Sequence, residues 1–175
     1  MPDPRRQLTG KRSRASGQIF ERYITMACDY YWRKGCAVIS KTPEPMKVVK
    51  PYGERFTGQF VAYFEKQAQP DYKGALSDGT CIIFDAKHTE KDRIQQDAVT
   101  ETQWETFDMY EEMNAHCYVI VSIALESFYR VPWKIWKQMK DLFGHKYMAA
   151  GKELEPYKIP DQNSIILFLE GVELK

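Results

Sequence analysis

The chain has 175 residues, 43% hydrophobic, 14% aromatic and 28% charged. That size and mixture fit one globular domain with a real core and exclude disordered, collagen-like and coiled-coil classes. Its 25 Lys/Arg against 24 Asp/Glu give a formal net charge of +1, so bulk charge announces neither a nucleic-acid nor a membrane partner. The distribution says more. Residues 1–14 carry Arg5, Arg6, Lys11, Arg12 and Arg14 against Asp3 alone, which leaves 20 bases and 23 acids on the rest. This pattern predicts a flexible basic arm over residues 1–15 ahead of a single, mildly acidic domain over 16–175.

No apolar run approaches the roughly 20 residues that span a bilayer, and Pro and Arg stand where a signal peptide would carry its apolar core. The expectation is a soluble, cytoplasmic protein with no membrane partner. Cys28, Cys36, Cys81 and Cys117 form no CxxC pair, and free thiols in a reducing compartment are preferred over zinc or disulfides. His88, His116 and His145 are scattered, which argues against a zinc hydrolase.

In chain order, Ile19, Phe20, Tyr23, Ile24, Ala27, Tyr30 and Tyr31 recur at helical spacing and predict a helix from Ser16 to Lys34, with Gly35 as its stop. Residues 36–40 suit a buried strand. Pro43, Pro45 and Pro51 then mark residues 41–57 as an extended excursion, and residues 58–64 suit a strand. Two strand-like runs, 71–76 and 80–87, flank Ser77-Asp78-Gly79, which predicts a β-hairpin. A strongly acidic helix follows from Thr100 to about Ala115, with Trp104, Phe107, Met109, Tyr110 and Met113 on one broad face. Residues 117–123 and 126–131 suit strands. Pro132 then opens a helix carrying Lys134, Lys137 and Lys140, and Ile165–Leu169 suits an edge strand.

The hairpin carries the chemistry. With Ser77-Asp78-Gly79 as the loop, cross-strand partners obey i + j = 156, which sets Asp71 opposite Asp85. Alternation puts Asp85 and Lys87 on the same side, with Ala86 facing the other layer. Two acids held close together raise each other's pKa, and a divalent cation relieves the repulsion. Mg²⁺ suits this oxygen-rich set, with Asp71, Asp85 and the Ala86 carbonyl as ligands and Mn²⁺ as a substitute. Lys87 would then orient or deprotonate an attacking water, or stabilise charge on a phosphate. On spacing alone, a surface hairpin with ordinary cross-strand ion pairs fits as well. The apolar Ile82-Ile83-Phe84 run before Asp85 favours charges placed at the edge of a core.

Pro70-Asp71, thirteen residues and then Asp85-Ala86-Lys87 match the PD-(D/E)xK nuclease pattern. With Gly35-Cys36-Ala37-Val38-Ile39, Lys41-Thr42-Pro43-Glu44-Pro45, Ala62-Tyr63-Phe64 and Asp71-Tyr72-Lys73-Gly74, the chain resembles the RecU-type Holliday junction resolvases over about residues 17–140. Asp85 stands where that family usually has Glu, and His88 where an acid is expected.

The resemblance implies an α/β, restriction-endonuclease-like fold: a mixed central sheet flanked by helices, with a protruding stalk over about residues 41–60. It implies Asp71 and Asp85 as metal ligands and Lys87 as catalytic. It adds Glu21 of the first helix as a further metal-side acid, although a solvated helix acid reads the same. Gln103 is added as a helix glutamine at the site, although Thr100-x-x-Gln103 is also a capping box. The implied activity is Mg²⁺-dependent, symmetric cleavage of four-way DNA junctions in recombination and repair, leaving 5′-phosphate ends. The implied assembly is a homodimer, with recombinase or branch-migration proteins as further candidate partners. Lys47, Lys50, Arg55 and Lys66 of the stalk region, with Arg5, Arg6, Lys11, Arg12 and Arg14 of the arm, would contact phosphates. A solvated loop and a solubility tail are the bland readings of these two segments. A PD-(D/E)xK nuclease of other specificity, or a catalytically silent DNA-binding or recombinase-modulating protein of the same fold, are the alternatives.

Overall fold

A computed structural model of the chain describes residues 4–43, 45–53, 58–64, 69–162 and 165–172, with side chains from Arg14 onward other than Phe64. In chain order the elements are α1 (Pro4–Arg33), β1 (Ala37–Lys41), β2 (Met46–Pro51), β3 (Phe60–Phe64), β4 (Tyr72–Leu76), β5 (Cys81–Thr89) and β6 (Arg93–Gln95). There follow α2 (Glu101–Glu112), β7 (His116–Ile123), β8 (Ser127–Pro132), α3 (Trp133–Lys137), α4 (Met139–Phe143), β9 (Tyr147–Ala149), β10 (Lys158–Ile159), β11 (Asp161–Gln162) and β12 (Ile165–Ile166).

Strand residues that alternate between two apolar layers build a six-stranded sheet in the order β1-β4-β5-β7-β8-β10. Within it β5 and β7 are parallel, bridged by the crossover containing α2, and the other neighbours are antiparallel. Helix α1 lays Phe20, Ile24, Ala27 and Tyr31 on the face formed by Tyr72, Ile82, Phe84 and Ile120. On the other face Phe107 of α2 and Trp133, Trp136 and Met139 of α3 and α4 cover Ile83, Val119 and Val121. This is the mixed sheet flanked by helices that the resemblance implies.

The hairpin register is the expected one: Tyr72 pairs with Phe84, Gly74 with Ile82 and Ala75 with Cys81. Gly79, at φ 84°, closes the turn in a conformation that costs other residues steric strain. Residues 46–64 form a separate two-stranded ribbon, β2 with β3, bulged between Val48 and Lys50. Every residue of β2 is exposed, Lys47 and Lys50 included. The strand expected at 58–64 therefore pairs inside the excursion and extends the stalk-like segment past residue 60. Arg55 and Lys66 lie outside the described residues.

Other boundaries differ for physical reasons. The backbone is helical from Pro4, so residues 4–15 continue α1 where a separate flexible arm was expected. Gln, Leu, Lys and Arg lose little rotamer freedom in a helix, and proline suits a first turn. The side chains of Arg5, Arg6, Lys11 and Arg12 are not among those described, whereas Arg14 is exposed. Met109 points to solvent because the helix turns it away from the stripe of Gln103, Trp104 and Phe107 that meets the core, and Met113 is exposed as the C-cap residue past the end of α2. Pro132 ends β8 and caps α3 rather than sitting inside it. The edges of the central sheet are β1 and β10, while Ile165–Ile166 pairs with β11 as a small ribbon of its own. All four cysteines are free, with Cys28 and Cys117 buried and Cys36 exposed.

The acidic helix finds its counter-charge inside the fold. Lys137 ion-pairs with Asp108 at 3.1 Å and Glu111 at 2.6 Å, and Trp133 donates its indole N–H to Asp108 Oδ1 at 2.8 Å. Two of the α2 carboxylates thus dock α3 onto α2.

Candidate active site

Asp71 stands just before β4, between two strands that hold it. The backbone N–H of Thr42, past the end of β1, donates to the Asp71 carbonyl at 2.8 Å. On the other side the Asp71 N–H donates to Asp85 Oδ1, and Asp71 Oδ2 accepts the Ala86 N–H, both at 3.1 Å. The two acids are therefore laced together across the hairpin where the β4–β5 ladder runs out. In a strand, the N–H and C=O of one residue face the same neighbour. The Ala86 carbonyl accordingly lies on the Asp71 side, past the Tyr72–Phe84 pair at which the β4–β5 ladder ends among the described residues.

Asp85 is fully buried, and its Oδ1 also accepts the side-chain amide of Gln103 at 3.0 Å. Its Oδ2 is buried and ion-pairs with Lys87 Nζ, 2.5 Å away. Lys87 lies on the same side as Asp85, as the strand period requires, and its Nζ reaches Gln103 Oε1 at 3.5 Å. Burial, and after it the charge of Asp85, push the Asp71 carboxyl up to about 7. A second carboxylate nearby makes the deprotonated form costly in the absence of a cation.

These residues fit a hard divalent cation. The donors are oxygens, the buried Asp85 Oδ2 already draws a positive charge to itself, and burial beside Asp85 makes the Asp71 carboxyl resist ionisation. Among the described residues no third His, Cys, Asp or Glu side chain joins them. Glu21, expected on the metal side, instead ion-pairs with Lys41 at 2.6 Å, both side chains about half exposed. The reason is geometric: α1 packs on the opposite face of the sheet, where Tyr72 O–H donates to the Glu21 carbonyl at 3.3 Å. Of the predicted site residues, Asp71, Asp85, Ala86, Lys87 and Gln103 come together and Glu21 does not.

His88, left without a role by the sequence, is part of the scaffold. Its ring lies near Phe20, 3.1 Å from Ser122 Oγ and 3.2 Å from Glu90 Oε1, and Ser16 donates to the same Glu90 oxygen at 2.7 Å. This chain of contacts ties α1 to the end of β5, and no local pattern signals it, because Ser16 is 74 residues from Glu90.

A family model described as RecU, Recombination protein U, matches residues 15–173. The chain is 30% identical over 170 residues to the Holliday junction resolvase RecU of Streptococcus sanguinis (strain SK36), covering 91% of this chain and 82% of that protein. It is 33% identical over 111 residues to the protein of the same name from Streptococcus oralis, covering 62% and 56%. For that from Streptococcus pneumoniae (strain Hungary19A-6) the figures are 39% identity over 79 residues, covering 44% and 39%. The chain thus spans less than two thirds of the length of the latter two relatives. Among solved structures, an Archaeoglobus fulgidus Holliday junction resolvase, Hjc, superposes with a TM-score of 0.43 at 13% identity, over 69% of this chain and 75% of that one.

Proposed function

The chain belongs to the RecU family, and from that premise we propose that it is a Mg²⁺-dependent endodeoxyribonuclease that resolves four-way DNA junctions. The observation that carries this reading is the facing of Asp71 and Asp85 across the hairpin, with Lys87 on the same side.

Asp71, Asp85 and the Ala86 carbonyl would hold the cation. When bound, a divalent cation stabilises charge on phosphoryl oxygens and lowers the pKa of a coordinated water. The protein's own groups do the rest. Gln103 and the Asp71 N–H fix Asp85 so that Oδ2 stays turned toward Lys87. Lys87, on the same side of the strand as Asp85, presents its ammonium to the phosphate or orients the incoming water. Water adds to phosphorus and gives up a proton to solvent, the P–O3′ bond breaks, and the 3′ oxygen takes up a proton from solvent, so that one water is consumed. The ends are 5′-phosphate and 3′-hydroxyl. Mn²⁺ would substitute for Mg²⁺ on the same oxygens.

A four-way junction has two equivalent strands to cut, which calls for a two-fold homodimer. The exposed β2–β3 ribbon, with Lys47 and Lys50, serves as the stalk that meets the junction. A DNA substrate places the protein in the cytoplasm, with recombinase or branch-migration proteins as candidate partners. The test is cleavage of a synthetic mobile four-way junction beside linear duplex and flap DNA. The expected result is paired nicks on the junction alone, dependent on added Mg²⁺. Equal cutting of linear duplex points to a nuclease of other specificity, and binding without cutting to a silent one.

The basic N-terminal segment binds phosphates in this reading. Deleting residues 1–14 is expected to weaken junction binding and to flatten the slope of log affinity against log salt, by roughly 0.9 for each phosphate that the segment neutralises. An unchanged slope, read from fluorescence anisotropy at several salt concentrations, removes the segment from the interface.

A further inference from the structure

Gln103 is the point at which α2 touches the carboxylate pair, and its amide has two possible orientations. Only one offers Asp85 a donor. Gln103 Oε1 accepts the backbone N–H of Thr100 at 3.1 Å, lies 3.3 Å from the Thr100 hydroxyl and is 3.5 Å from Lys87 Nζ. With donors on all these sides the oxygen must face them, and Nε2 must face Asp85 Oδ1 at 3.0 Å. The reversed amide would set its NH₂ against an N–H and an ammonium, and its oxygen against a carboxylate.

We infer that the Thr100 hydroxyl is a positioning residue for the phosphodiester chemistry, acting through Gln103 on Asp85; the inference rests on the nuclease reading above. Thr100 Oγ1 accepts the Gln103 N–H at 3.4 Å and donates to Gln103 Oε1. This capping box stabilises the start of α2. Here its glutamine also reaches out of the helix: Nε2, together with the Asp71 N–H, occupies Asp85 Oδ1 and prevents the carboxylate from rotating. Oδ2 is thereby left as the oxygen for the cation. Supporting partners of this kind set ligand orientation, and their loss typically costs 10–100-fold in metal affinity or activity.

The test compares Thr100→Gly, Thr100→Ser and Gln103→Glu in the full chain, by melting temperature, Mn²⁺ titration and steady-state junction cleavage. Glycine is nearly as good an N-cap as threonine, so Thr100→Gly is expected to melt close to wild type. It should nonetheless bind Mn²⁺ about 10-fold more weakly and lose about 10-fold in kcat, with the junction KM unchanged. Thr100→Ser, which keeps the hydroxyl, is expected to recover both. Gln103→Glu keeps the capping box but has no donor for Asp85, and should show the same two losses. Wild-type Mn²⁺ affinity and kcat in Thr100→Gly, or a loss that serine does not reverse, would overturn the assignment. A wild type that binds Mn²⁺ yet cuts no junction overturns the nuclease reading alone, and the Mn²⁺ titration then judges Thr100 separately.

Discussion

Asp71→Asn is expected to lower junction cleavage by about 10³-fold or more while leaving junction binding intact or tighter. The loss corresponds to the several kcal/mol of charge stabilisation that a bound cation supplies; the gain in binding follows from removing a negative charge near phosphate. The same substitution has an opposite effect on the fold. Asp71 is held at about 7 in the folded protein against an ordinary value of 3.8. Its folded state therefore binds the proton more tightly, a contribution that is fully present below about pH 3.8 and is lost as pH rises through about 7. Without metal at pH 8, Asp71→Asn should melt above wild type, because asparagine carries no charge to be desolvated and still accepts the Ala86 N–H. Asp85→Asn should also abolish cutting but melt below wild type, since it leaves Lys87 without its counter-charge. Quantitative cleavage and melting with and without Mg²⁺ check both; full activity in either variant contradicts the ligand assignment.

Gly74→Ala is expected to destabilise the fold by about 3 kcal/mol or more, a drop of roughly 10 °C in melting temperature for a domain of this size. A Cβ at Gly74 would stand 2.0 Å from the Val38 carbonyl oxygen and 2.7 Å from Ile39 Cα. Both obstacles are backbone, so no side-chain rotation relieves them, and β1 must move away from β4. That movement loosens the Thr42 N–H on the Asp71 carbonyl, so activity should fall even where the protein remains folded. A melting temperature equal to wild type would mean that the two strands pass farther apart than the structure places them.

Much of the hairpin is legible in the sequence because two rules act together. A three-residue loop around Gly79 sets the register, and the strand period then sets which side chains share a face, so Asp71, Asp85 and Lys87 can be brought together on paper. From local spacing Gln103 is legible as a cap, and only the family resemblance puts it at the site; that its other end reaches Asp85 depends on how α2 crosses the sheet, which no local pattern encodes. The same limit explains Glu21. Its helix is evident from the apolar spacing, but the face on which α1 packs is set by tertiary contacts, and these leave the acid beside Lys41. Met109 resembles a core residue only while hydrophobicity is counted without its angular position on the helix, and Met113 only while the helix is carried past Glu112. In the basic segment, charge draws attention away from a helix-forming composition. His88 and Glu90 are opaque, since their partners Ser122 and Ser16 lie far along the chain.

The most direct measurement is anomalous diffraction from crystals grown with Mn²⁺. The expected map holds a strong peak coordinated by carboxylate oxygens of Asp71 and Asp85 and by the Ala86 carbonyl, with Lys87 drawn off Asp85. Crystals of active protein in which Lys87 still grips Asp85, and the anomalous density lies elsewhere, would contradict the account.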